Sequence, residues 1–322
     1  MVGIAADLPI RYRCAFLTLL TSALSSCGLP PAPDLVLEEI AAFSLPPGEY
    51  VRGAVLTLNE ELVFWSRTGL WRVRDSASMD PVCAGSGSGF LWVGQVGAVL
   101  AALDTLRHQV LQIHFDAQCQ ATANFPLKGL IAAAATDSGW LVIQRPTTNT
   151  TPRLLFLSYQ REGNPLERHL PFSVTGAASD WLYLSGSGQS VLIGNRRWPF
   201  EWAFLDARGE ASGSTPKPAL PGGDPNVMLT IGGDENRWMA LPVLDLGGAY
   251  LQLIVDLGSD RRLFRVLDAT ARVLRQREVV LPLGLFFSDP RNRRLVGIRT
   301  ASSPELVVYG WRWARKPERK QQ

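Results

Sequence analysis

The side chains best suited to nucleophilic, metal-binding or proton-transfer chemistry are few and scattered: Cys14, Cys27, Cys83 and Cys119, and His108, His114 and His169. They contain no Cys-x-x-Cys pair and no Cys/His cluster, so a zinc site is not expected. His114 alternates with apolar Ile113 and Phe115, which reads as a surface or hydrogen-bonded position on a strand. Gly222-Gly-Asp224-Pro-Asn226 and Gly232-Gly-Asp234-Glu-Asn236 repeat one theme, and oxygen-rich loops of this kind can hold Ca²⁺. The intervening Val227–Ile231 reads as a strand, which carries the two carboxylates to opposite faces, so turns explain the pattern better. Neither G-x-S-x-G, nor H-E-x-x-H, nor a P-loop occurs. No catalyst is visible, and neither a metal nor a cofactor is expected.

Composition narrows the class. With 46% of its 322 residues hydrophobic, the chain has enough apolar surface to offset the entropy of ordering. Lys+Arg 32 against Asp+Glu 29 leaves only +3, too weak a bias to argue for a nucleic-acid partner. Gly 29 and Pro 22 favour many turns over long helices.

Recognisable chemistry is confined to the N-terminus. Arg11 and Arg13 precede the apolar run Cys14–Leu24, which is shorter than the roughly 20 residues needed to span a hydrocarbon core. It suits the central region of an export signal. Leu24-Ser25-Ser26-Cys27 then resembles the lipobox of bacterial lipoproteins: a branched apolar residue, two small residues and a cysteine. In that family the thiol receives a diacylglycerol, the chain is cut just before the cysteine, and the new amine is acylated. The resemblance implies a signal peptide at 1–26, lipidation of Cys27, and a membrane hold of about 0.8 kcal/mol per buried CH₂. Gly28, standing where an Asp favours the inner membrane of enteric bacteria, implies the outer membrane, facing the periplasm. Residues 27–34 include Pro30, Pro31 and Pro33 and read as a stiff tether. At the other end Arg312, Arg315, Lys316, Arg319 and Lys320 form a basic terminus, with 315–322 read as a solvated tail. Asn149-Thr150-Thr151 fits a glycosylation sequon, which is incidental in a bacterial envelope protein.

Export to an oxidising compartment leaves Cys83 and Cys119 as a possible disulfide. Two separate buried thiols are the alternative, because bridging requires Cα atoms within about 7 Å.

The body of the chain repeats. Leu-Pro or an equivalent followed by Gly recurs at Gly48, Gly129, Gly176, Gly223 and Gly284, and the Gly-Ser run ending at Gly89 fills the missing place. The intervals are 41, 40, 47, 47 and 61 residues, close to a four-stranded propeller blade of roughly 40–50 residues. The third interval reads as Leu130–Thr136, Trp140–Gln144, Arg153–Tyr159 and Leu166–Phe172, strands separated by turn residues. Asp116, Asp206 and Asp268 end third strands, where a carboxylate can turn the chain. Trp140, Trp181 and Trp238 open second strands. The last interval supplies only a third strand in Leu306–Trp313, and Leu35–Ser44 can pair with it to close the ring. The pattern predicts an all-β, six-bladed β-propeller over residues 35–314, with the N-terminal strand completing the last blade. Seven blades, with Ala249–Leu257 hiding one, or two packed β-sandwiches, are the alternatives.

An anchor without a visible catalyst is expected to belong to a non-catalytic binding or assembly scaffold, attached to the membrane by its lipid and engaging another envelope protein. The general plan looks like that of the outer-membrane assembly lipoprotein built from pyrroloquinoline-quinone-type repeats, from which this chain departs in blade count and repeat motif. A six-bladed hydrolase or lactonase, and a carbohydrate-binding protein, are the other readings.

Overall fold

The structure is a computed structural model. It describes residues 35–46, 49–66, 68–75, 78–83, 90–115, 119–125, 128–145, 150–159, 165–171, 181–187, 190–196, 202–211, 238–259, 261–268, 273–280, 283–299 and 304–314. All the regular elements among them are strands, apart from one residue of 3₁₀ turn, and they form six small antiparallel sheets. β1 (Leu35–Ser44) is set aside for the last sheet. Blade one contains β2 (Val51–Leu56), β3 (Leu62–Ser66), β4 (Leu70–Val73) and β5 (Met79–Val82), paired in that order. Blade two contains β6 (Phe90–Val96), β7 (Val99–Asp104), β8 (Gln109–Gln112) and β9 (Gln120–Asn124). Blade three contains β10 (Leu130–Ala135), β11 (Gly139–Gln144), β12 (Arg153–Ser158) and β13 (Leu166–Arg168).

Blade four contains β14 (Leu182–Ser187), β15 (Ser190–Asn195) and β16 (Trp202–Asp206), with an isolated bridge from Leu205 to Ala211. In blade five the innermost position is shared by β17 (Trp238–Ala240) and β18 (Leu244–Asp245), followed by β19 (Tyr250–Asp256), β20 (Arg261–Leu267) and β21 (Val273–Val280). Pro242 lies in the gap between β17 and β18, where its missing N–H breaks the ladder. Blade six contains β22 (Leu283–Asp289), β23 (Arg294–Arg299) and β24 (Glu305–Trp313), and β1 is its outermost strand.

The fold is therefore a six-bladed β-propeller, closed as the sequence predicts. β1 lies antiparallel to β24 from Leu35↔Trp313 to Ser44↔Glu305. Arg299 Nη1 donates to Glu39 Oε2 at 2.8 Å and Arg312 Nε to Glu38 Oε1 at 2.7 Å, so charge pairs cross this seam. Arg312 accordingly belongs to the sheet rather than to a free basic end.

Strand burial explains why the sequence reads as continuous apolar runs instead of alternating ones. Successive residues point to opposite faces of a blade, and each face packs on a different neighbour. In β11, Trp140 and Val142 join a core shared with blade two, whereas Leu141 and Ile143 join one shared with blade four. Other cores unite blades one and two, six and one, five and six, and four and five. Every junction of the ring is thus apolar.

Two details differ from the sequence reading. Trp140 does lie in a second strand, but Trp181 stands just before β14 and Trp238 opens β17, both innermost strands. Strand order within a blade depends on where the blade starts, which a recurring aromatic does not reveal. Ala249–Leu257 forms no seventh blade; it supplies β19, the second strand of blade five.

Candidate functional site

The innermost strands enclose a central channel of about 260 Å³. Small residues form much of its wall, among them Gly53, Gly94, Ala133, Ala135 and Gly186. Three neutral polar side chains, Gln95, Ser185 and Ser288, also line it. Ser185 is already engaged, donating its hydroxyl to the carbonyl of Val243 at 2.7 Å. The charged groups on the wall are Arg52 and Arg196, and no carboxylate lies among the described lining residues.

Local backbone geometry places both arginines. The β2–β3 register slips between Val51 and Gly53, so Arg52 is the extra residue of a bulge, exposed at the start of the innermost strand. Similar slips occur near the start of β6 and β10 and in the middle of β22, making the bulge a recurrent device of the inner ring. Arg196 directly follows β15. Because Asn195 pairs with Leu182, it emerges beside the start of β14, on the same face as Arg52. Burial pulls the Arg196 guanidinium below its ordinary pKa, an effect opposed by the neighbouring Tyr183 phenol. Neither arginine has an ion-pair partner among the described residues.

The opposite mouth gathers the hairpins that end the innermost strands. Its lining includes Asp137, Asp245 and Asp289 against the single cation Arg291. Several described carboxylates serve as turn caps. Asp245 accepts from the Gly247 amide at 2.7 Å, and Asp289 from the Arg291 amide at 3.0 Å. Asp104 accepts from Leu106 at 3.0 Å, and Asp206 from Arg208 at 2.8 Å. Asp206 thus closes the chain at the end of a third strand as its position in the repeat implied; Asp116 lies outside the described residues, and Asp268 follows β20.

The other sequence candidates do not converge on the channel. His108 occupies a left-handed turn position with φ 56°, His114 falls just after β8 instead of on a strand, and His169 is exposed beyond β13. The two Asp/Asn pentads and Cys27 lie outside the described residues, as do Arg315, Lys316, Arg319 and Lys320. Among the described residues no group of three or more His, Cys, Asp or Glu side chains is arranged to hold a metal ion. None of the described tryptophans is exposed.

Cys83 and Cys119 are joined as a disulfide with Cα atoms 5.1 Å apart. Cys83 leaves β5 in the left-handed region, φ 56°, and the bridge links the outer end of blade one to the loop before β9. In the chain-entropy model a loop of this length contributes about 3–4 kcal/mol. Reduction, or the Cys83→Ser/Cys119→Ser pair, is expected to lower the urea midpoint accordingly; equal midpoints would show that the bridge contributes nothing.

Tyrosines report on the same interior. Burial, and secondarily the Asp245 carboxylate, push Tyr250 up to about 12, and burial raises Tyr159, Tyr183 and Tyr309 as well. Unfolded tyrosine ionises near 10, so the unfolded chain releases these protons first. Their stabilisation is fully present below about pH 10 and is lost as the pH climbs toward 12. The melting temperature should fall across that window, with native phenolate absorbance lagging that of the urea-unfolded chain. Superimposable titration curves would contradict this.

No protein-family model and no curated protein matches the chain. Solved structures do resemble it in fold. A structural-genomics protein of Bacteroides thetaiotaomicron is 12% identical, with a TM-score of 0.53 over 87% of this chain and 76% of that one. A Bacteroides fragilis protein described as exported is 10% identical, with a TM-score of 0.50 over 87% and 96% of the two chains. An oligogalacturonate lyase in complex with manganese is 9% identical, with a TM-score of 0.48 over 87% and 98%. At such identities the likeness to the two Bacteroides proteins supports the fold and says nothing about activity.

Proposed function

We propose that this is a lipid-anchored protein of the bacterial envelope, carried on the outer membrane through Cys27, that binds a partner instead of catalysing a reaction. The observation that supports it is the way the anchor would join the wheel. Cys27 precedes β1 by a short proline-containing segment, and β1 is the strand that closes the ring. Within the ring, Asp289, Arg294, Gly310 and Glu38 stand side by side across blade six. Leu35 and Trp313, the first and last paired residues of the ring, therefore lie at its hairpin face. A lipid-tethered ring of this kind suits presentation of a binding surface to another envelope protein.

Palmitate labelling of cells producing the wild type and Cys27→Ala decides the anchor. Label is expected in the wild type and absent from the variant, which should fractionate away from membranes; equal labelling would overturn the assignment. Crosslinking in intact cells, followed by mass spectrometry, then tests the scaffold reading, with a recurrent envelope protein as the expected product.

A further inference from the structure

We propose that the channel mouth carrying Arg52 and Arg196 is a binding site for a small oxyanion, a carboxylate or a phosphate, with the two guanidiniums as its counter-charges. This inference is independent of the lipid anchor, because it rests on the wheel alone. Four observations converge on it. Arg196 is half-buried without a carboxylate partner among the described residues, and a partly desolvated guanidinium is stabilised by an anion that joins it. Arg52 is turned out of its ladder by a bulge and lines the same cavity. The small residues Gly53, Gly94, Ala133 and Ala135 line the channel with them. At the far mouth, Asp137, Asp245 and Asp289 outnumber Arg291, so the potential along the channel draws an anion toward the arginines and repels it from the other end.

The ligand class follows from the wall. Guanidinium forks match the planar carboxylate and the tetrahedral phosphate, pairing with either through two parallel hydrogen bonds. Gln95 and Ser288 add neutral donors deeper in the channel. The remaining lining is apolar, including Trp65, Trp92 and Phe287, so an anionic head with a short carbon skeleton fits better than a sugar or a cation. A channel of about 260 Å³ admits a small molecule and excludes a folded loop of another protein.

Trp65 and Trp92 line the channel and provide an intrinsic signal. The full chain is titrated with inorganic phosphate and, separately, with succinate, while sodium chloride holds the ionic strength constant, and tryptophan fluorescence and melting temperature are followed. At least one probe is expected to saturate and to raise the melting temperature; phosphate alone or succinate alone identifies the preferred head group. Arg196→Gln should weaken binding tenfold or more and Arg52→Gln several-fold, with Arg196→Lys retaining part of it. Lys128→Gln removes an exposed cation just before β10 that does not line the channel, and should change nothing. The proposal is overturned if neither probe saturates, if Lys128→Gln weakens binding as much as Arg196→Gln, or if the folded Arg52→Gln protein binds as tightly as wild type. Because Arg52 is exposed, that variant keeps the test meaningful should Arg196→Gln fail to fold.

Discussion

A chain that begins at Leu45 is expected to lose cooperative unfolding altogether. β1 contributes nine register pairs to β24, and each ladder hydrogen bond is worth a net of about 0.5–1.5 kcal/mol. Leu35 and Leu37 pack against the core between blades five and six, and Phe43 against that between six and one, adding about 1 kcal/mol or more each for partly buried apolar side chains. The sum approaches the whole stability of a typical domain, about 5–15 kcal/mol. Removing β1 would also bare β24, whose Leu306-Val307-Val308 run is buried and apolar, and an open edge of that kind recruits other chains. Near-UV circular dichroism and size exclusion should report a poorly packed, aggregating species, and a synthetic peptide of residues 34–45 added in trans should restore a sharp urea transition. Retention of the full chain's midpoint without β1 would show that the ring does not depend on its seam.

That seam was legible because two incomplete signals needed each other: a ten-residue strand pattern with no blade of its own, and a final interval one strand short. The blade period was legible for a related reason. Each blade must turn the chain several times, and turns demand Gly, Pro and Asp at recurring places, as Asp206 shows. Positions inside a blade were less readable. Trp181 and Trp238 look like Trp140 in sequence, yet only Trp140 is in a second strand, because all these strands are buried on both faces and select large apolar residues alike. The channel arginines gave no signal. Arg52 is simply a charge in an apolar run, and its significance depends on a bulge; Arg196 is one of an Arg pair after a strand, and only the β14–β15 register brings it to the mouth. Bulges and cross-chain register are set by tertiary packing, and no local spacing encodes them.

Trp140→Ala should carry one of the largest costs of any single side-chain truncation among the described residues, about 3–5 kcal/mol. The ring is 1% exposed and fills the junction between blades two and three, against Val96, Ala101 and Leu103 on one side and Val142 and Leu157 on the other. Its indole nitrogen is buried without a partner, so Trp140→Phe deletes an unsatisfied donor along with some packing, and its cost should fall well below that of alanine. Close to the indole, two inner strands approach at a glycine. A Cβ on Gly94 would approach the Ala135 Cβ to 2.6 Å and the Trp140 Cη2 to 3.6 Å. Gly94→Ala therefore forces two inner strands apart at a cost of about 1–3 kcal/mol, and adding Ala135→Gly should recover most of it, since the methyl group is only moved across the gap. Urea denaturation of the single and double variants measures the coupling. Strictly additive costs would mean that the two strands do not meet at that point.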